Sequence, residues 1–139
     1  MKLAFTRSKK PFHFDVENEV GAHLTIDAAA NIGGTDKGLR PMELVAAGVA
    51  GCVAIDLILI LEKQRIDPDR LNIQIEANRV DGTPSPFENI HMKFELDPDL
   101  DASRLTKNIQ LVIDKYCSVS ASLKESIDIT FEIVQNENV

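Results

Sequence analysis

One oily stretch constrains this chain more than anything else in it. From Leu44 to Leu61 the residues are apolar except for Asp56, and Gly38-Leu39-Arg40-Pro41 leads into the run. Pro41 suits a first helical turn, where its missing N–H costs nothing. Lys63 and Arg65 suit a helix C-terminus, where cations meet the negative end of the dipole. The pattern predicts a helix from about Met42 to Arg65, roughly 36 Å long at 1.5 Å per residue. A helix that is apolar all round is either buried or spans a membrane. The run is at the short end of the roughly 17–25 residues that a span needs. Asp56 would cost about 2.5–3.5 kcal/mol in a bilayer. No second span and no signal-like N-terminus accompanies it, so a central core helix is expected and no membrane. Around Cys52 the helix is built from small residues: Ala46, Ala47, Gly48, Ala50 and Gly51. Gly in a helix interior costs about 1 kcal/mol relative to Ala, so the glycines predict a close packing partner there.

The rest of the chain reads as strands with one helical interlude. Phe12, Phe14 and Val16 alternate with His13, Asp15 and Glu17, and Ala22, Leu24 and Ile26 alternate with His23, Thr25 and Asp27. Period two means a half-buried strand with its apolar side inward. The turn Asn18 to Gly21 makes these two a hairpin, and Leu3 and Phe5 suggest a strand before them. After the long helix, Leu71, Ile73 and Ile75 form one alternating strand and Ile90, Met92, Phe94 and Leu96 another, paired antiparallel. From about Ala102 the spacing turns helical, with Leu105, Ile109, Val112 and Tyr116 on one stripe and Asp101 or Ser103 as its cap. That helix should end near Cys117, and a short helix through Leu123 and Lys124 follows. Ile127, Ile129, Phe131 and Ile133 mark the last strand.

The predicted order is therefore three strands, long helix, two strands, helix pair, strand: an α+β fold. A sheet covers only one side of the long helix, and a second copy covering the other side predicts an intertwined homodimer. At 139 residues the chain is expected to be a single domain, 1–139. A net charge of −7 excludes a general nucleic-acid binder, which needs a basic surface for phosphates. Two cysteines without a secretory signal suggest a reducing, cytoplasmic setting.

Cys52 and Cys117 have no CxxC spacing, which speaks against a thioredoxin motif and against structural zinc. Either could be inert core, since free cysteine often packs as a small hydrophobe. Cys52 has small neighbours that would admit a substrate, and Cys117 stands where a short helix begins, beside Ser118 and Ser120. Asp56 shares a helix face with Cys52. It is either a hydrogen-bond partner at the site or paired with a backbone N–H or a cation at a dimer seam. The three histidines, His13, His23 and His91, fall on the polar phase of their strands and should face solvent.

Gly38-Leu39-Arg40-Pro41-Met42-Glu43-Leu44 leading to Ala50-Gly51-Cys52, together with Tyr116-Cys117-Ser118-Val119-Ser120, resembles the OsmC/Ohr family of osmotically inducible and organic hydroperoxide resistance proteins. The resemblance implies antiparallel sheets wrapped around long central helices in an intertwined homodimer. It also implies a thiol peroxidase without metal or bound cofactor. Cys52 would attack a small hydroperoxide and become sulfenic acid, Cys117 would resolve it as a disulfide, and an external dithiol would reduce that. Peroxidase members place a glutamate directly after the helix-opening proline, where this chain has Met42 and then Glu43. They also place an arginine after the first strand, where Arg7 lies. Arg7 and Glu43 are thus the candidates for activating Cys52, with Arg40 a further one from the residues alone. The alternative is a dimer with silent cysteines that holds a small hydrophobic ligand at its interface.

Overall fold

The structure, a computed structural model, describes residues 1–123 and 125–137. It comprises two compact units, Met1–Val45 and Ala46–Val139. In the first, β1 (Leu3–Lys9), β2 (His13–Asn18) and β3 (His23–Ile26) form an antiparallel sheet in chain order. The β2–β3 turn closes on Asn18, whose Oδ1 accepts the N–H groups of Val20 and Ala22. The apolar side of this sheet is not covered within the unit: Leu3, Phe5 and Leu24 are exposed, and Phe5 stacks on Phe14 at 4.8 Å.

Asp27 departs from the polar-out phase expected of β3. It is 2% exposed, because the chain behind the strand folds over it. Its Oδ1 accepts the Ala28 N–H, and its Oδ2 accepts the Thr35 hydroxyl and the N–H groups of Thr35 and Lys37. The Thr35 hydroxyl, aided by these N–H groups, holds the carboxyl at about 2 against its usual 3.8, despite the opposing effect of burial. Gly34 allows the fold-over, since a Cβ there would collide with the Ala28 carbonyl.

α1 (Pro41–Lys63) is the predicted long helix, and it is long and apolar enough to cross a membrane by length and composition. It ends two residues before the expected Arg65, which sits at φ 59° and lets the Ile66 N–H reach back to the Leu61 carbonyl at 2.9 Å. In the second unit Ala46, Val49, Ala50, Val53, Leu57 and Leu61 are buried, one stripe of the helix. The opposite stripe is open: Ile55 is 62% and Leu59 51% exposed, and a Cβ at Gly48 or Gly51 would meet nothing within 4 Å. Among the described residues, the close neighbour predicted for those glycines is not present.

β4 (Leu71–Arg79) and β5 (Phe87–Leu96) pair antiparallel as expected, with Ile90, Met92, Phe94 and Leu96 fully buried. β6 (Asp128–Val134) pairs parallel to β5, so this sheet is mixed rather than antiparallel throughout. A parallel neighbour needs a long crossover, and the helical segment between the strands is that crossover. α2 (Ala102–Leu111) opens on Asp101, whose side chain accepts the Arg104 N–H. A reciprocal amide pair, Gln64 with Asn108, ties α2 to the end of α1. A wide π turn (Val112–Tyr116) and α3 (Ser118–Leu123) complete the segment. The expected continuation of α3 through Lys124 lies outside the described residues.

Candidate functional site

Two local features bring the cysteines together within the second unit. Cys52 is on the half-buried flank of α1, between the buried stripe and the open one. Cys117 is fixed by the π turn. Its N–H bonds to the Val112 carbonyl at 2.9 Å, a five-residue reach instead of the four of an α-helix. The extra residue in that turn carries Tyr116 out to 59% exposure and brings Cys117 to the inward position. The expected stripe therefore holds through Leu105, Ile109 and Val112 and fails at Tyr116. Cys117 then begins α3, its Sγ accepting the Ser120 N–H at 3.3 Å and its carbonyl the Ala121 N–H.

Cys52 and Cys117 are both free, and the Cys117 thiol lies near enough to Cys52 to act on its titration. Burial pushes the Cys52 thiol up, the neighbouring Cys117 thiol adds to this, and the Asp56 carboxylate acts in the same direction. The Val119 N–H, which also faces the sulfur, pulls the other way. Asp56 Oδ2 is 3.9 Å from Cys52 Sγ, one helical turn on. Ser120, whose N–H meets the Cys117 sulfur, is fully buried, and its Oγ has no partner among the described residues. Among the described residues, no group of three or more His, Cys, Asp or Glu gathers in a way that could hold a metal.

Arg7, expected in the loop after the first strand, lies within β1, paired with Phe14 of β2. It and Glu43 belong to the first unit, and each has a local partner there. The Arg7 Nε and Nη2 donate to the Pro11 carbonyl at 3.0 and 2.6 Å. Glu43 Oε2 accepts the Arg40 N–H at 2.9 Å, the carboxylate half of a capping box at the start of α1. Arg40 in turn pairs with Asp36 at 3.0 Å, which pushes its guanidinium further up. His23 is exposed, and the half-buried His13 and His91 pair with Ser8 and Thr130. The reading of the sequence missed the Val119 N–H and the buried Ser120. No local signal marked them, because the π turn that presents this face has no strong sequence signature.

A family model described as OsmC-like protein matches residues 34–132. Protein YhfA of Escherichia coli strain K12 is 33% identical over 102 residues, which cover 71% of this chain and 76% of that protein. A hypothetical protein from Aquifex aeolicus VF5 has a similar structure, with TM-score 0.79 and 27% identity, covering 98% of this chain and 97% of its own. The organic hydroperoxide resistance protein OhrB of Bacillus subtilis shares the fold, with TM-score 0.69 and 21% identity, covering 96% of this chain and 98% of its own.

Proposed function

The chain belongs to the OsmC family, and on that premise we propose that it is a cysteine-based thiol peroxidase acting on small hydroperoxides. The observation that carries this is that two free cysteines, far apart in sequence, are brought near enough for one thiol to act on the other. The Cys52 sulfur attacks the terminal peroxide oxygen. An S–O bond forms, the O–O bond breaks, and the thiol proton leaves with the alcohol. Cys117 then attacks the Cys52 sulfenic acid, forming S–S and releasing water. An external dithiol exchanges with that disulfide and is itself oxidised. The apolar helix around Cys52 suits an organic hydroperoxide.

The same reading takes residues 1–139 as one functional domain, completed by a second copy in the cytoplasm. The exposed Ile55, Ile58 and Leu59 and the unopposed Gly48 and Gly51 support a homodimer through that stripe of α1.

The test is a thiol titration with mass spectrometry after one equivalent of cumene hydroperoxide. Wild type should lose both thiols as a Cys52–Cys117 disulfide. Cys117→Ser should stop at a Cys52 sulfenic acid that dimedone traps. If Cys52 stays unmodified over minutes and Cys117→Ser behaves like wild type, the peroxidase reading is wrong. One observation favours a second reading, a dimer that binds a small hydrophobic ligand with silent cysteines: burial and Asp56 both oppose the Cys52 thiolate.

A further inference from the structure

Asp56 is the one charged residue inside the apolar run of α1. It is half-buried, and among the described residues no Lys, Arg or His forms an ion pair with it. A carboxylate in such a place is kept at a cost in solvation. What it does touch is the Cys52 sulfur, at 3.9 Å. A carboxylate accepts a hydrogen bond from a thiol and repels a thiolate, so it favours the protonated sulfur. The groups facing Cys52 are Asp56 on its own helix, Cys117 at the end of the π turn, and the Val119 N–H from α3. Only the Val119 N–H favours negative charge on that sulfur.

We infer that Asp56 is a positioning residue for the cysteine pair: its carboxylate beside the Cys52 sulfur holds the proton there and slows that sulfur toward electrophiles, relative to a neutral side chain in the same place. The inference rests on the reading of Cys52 as the reacting sulfur. Burial and the Cys117 thiol act in the same direction and more strongly, so the Asp56 charge is the part of this restraint that a single substitution removes.

The test uses iodoacetamide, which needs neither peroxide nor reductant, so its outcome is separate from that of the peroxidase reading. In a Cys117→Ser background only Cys52 reports. The parent should show a midpoint for alkylation against pH above the roughly 8.5 of free cysteine. Asp56→Asn should lower that midpoint and make labelling at pH 7 several-fold faster. Asp56→Glu, which keeps the charge, should stay close to the parent. A parent midpoint at or below that of free cysteine overturns the inference. So does an Asp56→Asn midpoint no lower than the parent's. Thermal melts check that each variant is folded; if Asp56→Asn does not fold, Asp56→Ser and the parent midpoint decide the matter.

Discussion

The N–H of Cys117 reaches past the ordinary helical partner to the carbonyl of Val112, five residues back, at 2.9 Å. That single bond decides which residue of the pair Tyr116 and Cys117 faces inward. With four-residue spacing Tyr116 would follow Val112 on the buried side; with five, the thiol does.

Adding one residue to the π turn tests this. Insertion of an alanine after Lys115 should put Cys117 six residues from Val112 and rotate it away from Cys52. Under diamide, the wild type should form the Cys52–Cys117 disulfide and the insertion variant should not. Peptide mapping by mass spectrometry distinguishes the two, and equal disulfide yields would show that the turn is not what places the thiol.

Asp27 makes the protein acid-sensitive in a defined window. Its carboxyl titrates at about 2 in the folded chain against 3.8 ordinarily, chiefly because of the Thr35 hydroxyl. The unfolded chain therefore binds this proton more readily. The stabilisation is fully present above 3.8 and is lost as the pH falls through about 2. Melting temperature should fall with acid across that interval, and in Asp27→Asn the fall should be shallower. Parallel slopes for the two proteins would contradict the assignment.

Arg65 occupies a left-handed conformation at the end of α1, φ 59°. That conformation costs a residue with a Cβ roughly 1–2 kcal/mol, and glycine's greater freedom in the unfolded chain offsets about half of this. Arg65→Gly should stabilise the protein by about 0.5–1 kcal/mol. The urea midpoint should rise accordingly; a lower midpoint would mean that the Arg65 side chain contributes more than its backbone costs.

Gly51 separates a lone chain from a paired one. Among the described residues, nothing lies within 4 Å of a Cβ placed there. A monomer should tolerate Gly51→Leu and gain up to about 1 kcal/mol of helix propensity. A dimer packed through this stripe should instead dissociate, with the mass in light scattering falling by half. A wild-type protein already monomeric in that measurement would remove the dimer proposal.

Local patterns carried the elements well, and the candidate site less well. The alternation of Ile90, Met92, Phe94 and Leu96 announced β5, and the pair Asp101 and Ser103 announced the start of α2, where Asp101 is the cap, because both signals lie within a few residues of what they specify. Tyr116 was misplaced because a π turn has no strong local signature of its own. Asp27 looked like an ordinary outward residue of a strand. Its burial depends on Thr35 and Lys37 returning across it, which the strand itself does not encode. The roles expected of Arg7 and Glu43 came from likeness to a family pattern. In the structure the first meets the Pro11 carbonyl and the second caps α1.

From its sequence alone this chain determined that an oily helix bearing Cys52 would be its centre, and which faces of its strands would be apolar. Periodicity is a local property, and hydrophobic burial acts on each segment separately. The tertiary structure decided the rest: that β6 runs parallel to β5, that the extra residue of one turn brings Cys117 to Cys52, and that Asp56 stands beside that sulfur with no ion-pair partner among the described residues. These depend on where the chain goes after it leaves each element. No residue states that direction by itself, because it follows from packing distant segments together at once.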